Sequence, residues 1–214
     1  MSKNVIIFGD SYSTYEGCIP KGYACYYSPT GRAENHVTKM KKEETWWARL
    51  LDKTGFDLLM NNSWSGSTVC HTGWNGVDCS KTNSFIYRFR QLRDSGYFKE
   101  NKVDTVFVFG GTNDSWSNAP LGKFKLSDFD EKELFCVLPA FSYLMGEMKA
   151  ALPDAEIYYL VNSDLKAEIG ECIEKAGAHF GVNVIKLHDI DKREGHPTPL
   201  GMEAICEQVF NNLK

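Results

Sequence analysis

The chain has 214 residues, 43% hydrophobic and 24% charged, with a net charge of −4. That balance fits a globular protein with one sizeable core, so a single domain over 1–214 is expected. It gives no electrostatic support for nucleic-acid binding, and no apolar run approaches the roughly 18 residues a membrane-spanning helix needs.

The first apolar run, Val5-Ile6-Ile7-Phe8, reads as a short buried strand. No charged leader and export segment precede it, so a cytoplasmic location is expected. A long polar and aromatic loop follows over 12–42. Its one basic cluster, Lys39-Met40-Lys41-Lys42, runs into Glu43-Glu44 and reads as a solvated helix start. A helix is predicted over 44–54, with Trp46, Trp47, Leu50 and Leu51 on one face and Gly55 as its C-cap. A second strand over 57–61 leads into a Gly- and Asn-rich loop, then a helix over 84–93. Ser84 is its N-cap, and Ile86, Phe89 and Leu92 point inward.

The third strand, Thr105-Val106-Phe107-Val108-Phe109, is continuously apolar, as a central parallel strand should be. Asp130 and Glu133 have capping-box spacing for a helix reaching Ala151, with Pro139 as a kink or break. A fourth strand covers 156–161. Asp164 is the expected cap of a helix ending near Gly181, a fifth strand covers 183–187, and a last helix starts near Leu200. Strands alternating with helices predict an α/β fold: a three-layer, flavodoxin-like sandwich with a five-stranded parallel sheet and helices on both faces. Seven cysteines with irregular spacing include no Cys-x-x-Cys pair, so reduced thiols are expected. Cys70-His71 with Cys79 is the sole metal-ligand candidate, and a scattered structural set is the better reading.

Reactive residues sit just past the strands. Gly9-Asp10-Ser11 follows the first, Ser65-Gly66 the second, Gly111-Thr112-Asn113-Asp114 the third, and Gly195-His196-Pro197 the fifth. In a parallel sheet these ends share one edge, where open α/β folds bind ligands. A serine hydroxyl becomes a useful nucleophile when a base takes its proton, and His196 is suited to do so. The backbone N–H groups of Ser11 and Gly66, with the Asn113 amide, are candidates to receive the oxyanion of a tetrahedral intermediate. Gly66 suits that role because a missing Cβ allows close approach.

These blocks resemble, in order, those of the SGNH (GDSL-type) esterases and acylhydrolases. Gly9-Asp10-Ser11 is similar to the first block, Asn62-Ser63-x-x-Gly66 to the second, Gly111-Thr112-Asn113-Asp114 to the third and Gly195-His196-Pro197 to the last. The resemblance implies Ser11 as nucleophile, His196 as base, Ser11, Gly66 and Asn113 as oxyanion hole, and no metal or organic cofactor. It also implies hydrolysis of an ester. One position departs from the pattern: the aspartate usual three residues before the histidine is Arg193 here. Asp191 is the expected orienting carboxylate, reaching His196 if 192–195 bulges. Glu194 is next, and a Ser–His dyad leaning on a backbone carbonyl is third. No Gly-x-Ser-x-Gly elbow, phosphate loop or Gly-x-Gly-x-x-Gly fingerprint is present.

The loops 12–42, 63–83 and 115–128 are the expected pocket walls. Their Tyr12, Tyr15, Tyr23, Tyr26, Tyr27, Trp64, Trp74 and Trp116 suit a sugar or a short acyl group, although about half should simply pack the loops onto the sheet. The expected partner is a small-molecule ester with a short acyl chain, such as an O-acetylated carbohydrate. The competing reading is a non-catalytic ligand-binding module on the same fold, with a degraded final block.

Overall fold

A computed structural model describes residues 2–31 and 38–214; part of the loop expected over 12–42 therefore lies outside the described residues. Strands β1 (Asn4–Gly9), β2 (Asp57–Ser63), β3 (Thr105–Phe109), β4 (Glu156–Val161) and β5 (Asn183–Lys186) form one sheet, ordered β2-β1-β3-β4-β5. Every pairing in it is parallel. Around it lie helices α1 (Trp46–Thr54), α2 (Phe85–Asp94), α3 (Tyr97–Glu100), α4 (Thr112–Trp116), α5 (Val137–Ala151), α6 (Ala167–Phe180) and α7 (Pro199–Phe210). This is the expected three-layer α/β fold. None of the helices among the described residues is long and apolar enough to cross a membrane.

The continuous apolar runs serve two cores at once. In β1, Ile6 and Phe8 face one core and Val5 and Ile7 the other; in β3, Val106 and Val108 oppose Phe107 and Phe109. This is the period-2 alternation of a strand covered on both faces. The first core takes α2, α5 and α6, through residues such as Phe89, Phe141 and Ile173. The second takes α1 and α7, through Trp46, Leu50, Ile205 and Val209. Each such buried side chain contributes about 1.5–3 kcal/mol from area removed from water.

Local signals place most helix ends. Ser84 accepts from the Tyr87 N–H and caps α2, and Gly55 ends α1 in the left-handed conformation. Three expectations are corrected. The Asp130–Glu133 capping box starts a separate 3-10 turn (Glu131–Phe135), not α5. Pro139 then falls in the first turn of α5, where its missing N–H costs nothing, so it neither kinks nor breaks the helix. Asp164 does not cap α6; Lys166 holds that position, and Asp164 pairs with Lys192 instead. The short helices α3 and α4 were not anticipated. Neither was a small antiparallel hairpin of β6 (Lys192–Arg193) and β7 (His196–Pro197) between β5 and α7.

The strand order reverses between β1 and β3, and such a switch point leaves a crevice at the strands' carboxyl ends. The segments after β1, β2 and β3 are adjacent there. The segment after β5 begins three strand spacings from β1, about 14 Å away. The hairpin is the part of the chain that returns across that distance.

Candidate active site

Ser11 opens a 3-10 turn (Ser11–Ser13) directly after β1. Asp10 caps it, its Oδ1 accepting from the Tyr12 N–H at 3.0 Å. Ser11 is almost wholly buried, yet its Oγ lies 3.0 Å from His196 Nε2, across 185 residues of sequence.

His196 opens β7, and its ring is boxed by aromatics. It stacks on Tyr26 at 3.8 Å and 8°, with Tyr12 at 5.4 Å and Trp116 at 5.8 Å edge-on. On the far side, Nδ1 is 3.1 Å from the backbone carbonyl of Glu194. A carbonyl only accepts, so Nδ1 carries the proton and Nε2 turns its lone pair toward the Ser11 hydroxyl. Burial lowers the imidazole's pKa below its ordinary value and the Lys192 charge adds to this, while the carbonyl and carboxylate of Glu194 pull the other way.

Asp191 does not reach the imidazole. Its carboxylate accepts from the Thr198 hydroxyl, and its backbone carbonyl accepts from the Thr198 N–H at 3.1 Å. The cause is the hairpin. Glu194 and Gly195 both adopt left-handed conformations, φ 50° and 76°, the pair that a two-residue loop requires. The chain therefore turns tightly instead of bulging, and Asp191 remains at the root of the hairpin beside Thr198, which caps α7. The same turn aims the Glu194 carbonyl at the ring. Of the three partners weighed for the imidazole, the backbone carbonyl is the one in place.

Contacts from three side chains fasten this hairpin to the body of the protein, one of them from its own Lys192. The Tyr12 hydroxyl donates to the Gly195 carbonyl, and the Tyr27 hydroxyl donates to the Pro197 carbonyl at 2.8 Å. Lys192 donates to Asn162 Oδ1 at 2.6 Å and pairs with Asp164. A Cβ on Gly195 would stand 2.8 Å from the Trp116 ring, so both its φ and its space demand glycine.

On the opposite side, Gly66 has φ +81°, and a Cβ there would meet nothing within 4 Å. Its positive φ is a backbone conformation that favours glycine. The N–H groups of Ser11 and Gly66 are taken up by no backbone or side-chain acceptor among the described residues. Asn113, in α4, donates one Nδ2 proton to the Ser67 carbonyl at 3.0 Å and accepts from Trp74 Nε1 at 3.2 Å. Its neighbour Asp114 accepts from the Val69 and Cys70 N–H groups, which ties the β2 and β3 loops together.

Beneath these loops lies Arg88, fully buried. It donates to the Gly9 carbonyl at 3.2 Å, to Ser67 Oγ at 3.1 Å, to Asn62 Oδ1 at 3.0 Å and to the Asn83 carbonyl at 3.0 Å. It thus braces the first two sequence blocks against each other. Burial lowers its pKa to about 9 and raises those of Asp10 and Asp114 to about 7 and about 6. Sequence reasoning passed over Arg88, although a signal existed: Phe85, Arg88, Phe89 and Leu92 have the spacing of one helix stripe, and an arginine interrupts it.

Of the eight loop aromatics, Tyr12, Tyr15 and Tyr27 are buried packing residues. Tyr23, Tyr26, Trp64 and Trp116 are half-buried, and Trp74 is 43% exposed. Tyr23 and Trp64 pack ring to ring at 4.1 Å. A cavity of about 730 Å³ lies elsewhere, along α1, lined by Cys18, Trp47, Leu51 and Leu58 among others, and includes none of the residues above. Cys70, His71 and Cys79 do not form a ligand set: His71 Nδ1 faces Ser84 Oγ at 3.0 Å, and the Cys70 thiol donates to the Thr72 carbonyl.

The sequence model of the GDSL-like lipase/acylhydrolase family matches residues 3–213. The chain belongs to that family. It is a hydrolase acting on ester bonds. A candidate GDSL-like lipase from Bacteroides uniformis is 43% identical over 99% of this chain and 95% of its own, with a TM-score of 0.89. A second, from Bacteroides ovatus, is 39% identical over 98% and 96%, with a TM-score of 0.88. At 17% identity the hydrolase shares its fold with a family two carbohydrate esterase from Clostridium thermocellum, solved in complex with cellohexaose. There the coverage is 98% of this chain and 62% of the other, and the TM-score 0.65. A search of curated protein sequences returns no match.

Proposed function

We propose that this hydrolase cleaves a short-chain ester through an acyl-enzyme on Ser11, with His196 as the base. The 3.0 Å contact between Ser11 Oγ and His196 Nε2 carries the reading. As Oγ bonds to the acyl carbon, its proton passes to Nε2 and the carbonyl π-electrons move onto oxygen. The resulting oxyanion is received by the N–H groups of Ser11 and Gly66 and the second Nδ2 proton of Asn113. Each such donor is typically worth about 3 kcal/mol in the transition state. The imidazolium then returns its proton to the leaving alcohol, and a water molecule repeats the sequence to release the acid.

The imidazolium rests on the Glu194 carbonyl dipole in place of a carboxylate. That supplies orientation with less charge stabilisation. The half-exposed aromatics, Tyr23 against Trp64 and Trp74 beside Asn113, favour a flat, polyhydroxylated alcohol such as a sugar carrying an O-acetyl group. A p-nitrophenyl ester series of increasing acyl length, run beside acetylated sugars, tests both halves. Turnover is expected to be greatest for the shortest acyl groups. A fluorophosphonate probe should label Ser11 rapidly, and Ser11→Ala should abolish labelling. Slow, pH-independent labelling would instead favour a site that binds without turnover.

A further inference from the structure

We propose that Trp74 is a positioning residue for the Asn113 amide, a role that rests on the acyl-transfer reading above. Three observations carry it. First, the two contacts of the Asn113 amide are of opposite and fixed polarity. The Ser67 carbonyl can only accept, and it receives Nδ2–H at 3.0 Å; the Trp74 indole can only donate, and it reaches Oδ1 at 3.2 Å. Rotating the amide by half a turn would set oxygen against oxygen and N–H against N–H. The pair therefore leaves one amide orientation, with the second Nδ2 proton uncommitted.

Second, Trp74 is held firmly although it is 43% exposed. It stands on a tight turn, with Asn75 at φ 56° and Gly76 at φ 75°, closed by Gly73 N–H on the Val77 carbonyl at 2.8 Å and by an antiparallel bridge between Thr72 and Asp78. That turn is moored to the body of the protein. His71 N–H donates to the Leu134 carbonyl at 2.8 Å, and the Thr72 hydroxyl donates to the Phe135 carbonyl at 2.7 Å. Third, Asn113 is itself buried, so no solvent replaces the indole without rearrangement.

An oxyanion donor helps most when it is already aimed before charge develops. The indole contact keeps the amide aimed, and it draws electron density toward Oδ1, which strengthens Nδ2–H as a donor. Both effects are felt in the transition state more than in the ground state, so they act on kcat and leave KM nearly alone.

The experiment is a double-mutant cycle on the full chain with a short-chain p-nitrophenyl ester. Trp74→Phe keeps the aromatic face and removes the N–H. It is expected to lower kcat about tenfold, with KM within about twofold and an unchanged melting temperature. In an Asn113→Ala background the same replacement should cost less than about twofold, because the group it positions is gone. An equal loss in both backgrounds, a loss borne by KM, or no loss at all would overturn the proposal. Full activity of Asn113→Ala would strike instead at the oxyanion role of Asn113. If Asn113→Ala fails to fold, the split between kcat and KM for Trp74→Phe decides alone.

Discussion

The proposed nucleophile and the proposed base are mounted in opposite ways. Ser11 stands on a buried shelf: β1 lies at the sheet's interior, Asp10 caps the turn, and Arg88 braces the strand end from below with its whole guanidinium buried. His196 stands on a two-strand hairpin at the surface, with Asp191, Arg193 and Glu194 all exposed. The shelf is made rigid by a buried polar network, where every lost partner leaves an unsatisfied group. The hairpin is made rigid by two tyrosine hydroxyls that reach its carbonyls and by its own Lys192 ammonium, which reaches out to Asn162 and Asp164. The comparison teaches that catalytic geometry can be built either from the core outward or from the surface inward. The two constructions should fail differently.

The largest expected effect treats both halves alike. Ser11→Ala and His196→Ala should each lower kcat about 10⁴-fold or more, and the double variant should be little worse than either, since the pair acts as one unit. Additive losses, measured by steady-state kinetics, would mean that the 3.0 Å contact is not the working one. The next effect separates the halves. Arg88→Met strips the carbonyls of Gly9, Asn62 and Asn83, together with Asn62 Oδ1 and Ser67 Oγ, of a buried donor; a stability loss of about 3–5 kcal/mol is expected in denaturant unfolding. Tyr12→Phe should cost only about 1 kcal/mol of stability, yet lower kcat several-fold, because the Gly195 carbonyl loses its tether. A reversed ranking would erase the distinction between shelf and hairpin.

That distinction also explains what the sequence reveals. The shelf was legible because its parts are local: an apolar run ending in Gly-Asp-Ser, a continuous β3 ending in Gly-Thr-Asn-Asp, and a serine cap on α2. Strand alternation and turn chemistry act over a few residues, so they show in one sequence. The hairpin was not legible. Nothing in Arg193-Glu194-Gly195 announces that Tyr12 and Tyr27, more than 160 residues earlier, will seize the carbonyls on either side of His196. The departure at Arg193 was visible, but its answer was tertiary. Arg88 lies between these cases, since its spacing was on the page and its burial depended on polar groups from two strand ends and the loop after β2.

A smaller effect concerns pH. In the proposed mechanism the base is the neutral imidazole, so activity should be lost on the acid side as Nε2 takes a proton. Burial among Tyr12, Tyr26 and Trp116 favours the neutral form, and Lys192 favours it further. The acid limb of kcat/KM should therefore have its midpoint below the ordinary imidazole value of about 6.5. Lys192→Met should move that midpoint upward; an unmoved midpoint would show that the charge of Lys192 does not reach the ring.

The smallest expected effect is the most pointed. Where a carboxylate orients a catalytic histidine, replacing it by an amide costs about 10⁴ in turnover, because the wrong tautomer is held. Asp191 occupies the stretch of chain where such a carboxylate was expected, but it serves Thr198 and the start of α7. Asp191→Asn keeps an oxygen that accepts from the Thr198 hydroxyl and changes nothing at Nδ1, which stays on the Glu194 carbonyl. Turnover should remain within about twofold, and stability should fall by less than about 1 kcal/mol, the worth of a weakened cap. A loss of a thousandfold would mean that the hairpin opens during catalysis and lets the carboxylate in. The surface mounting of the base would then be a resting arrangement, and the working one would resemble the shelf after all.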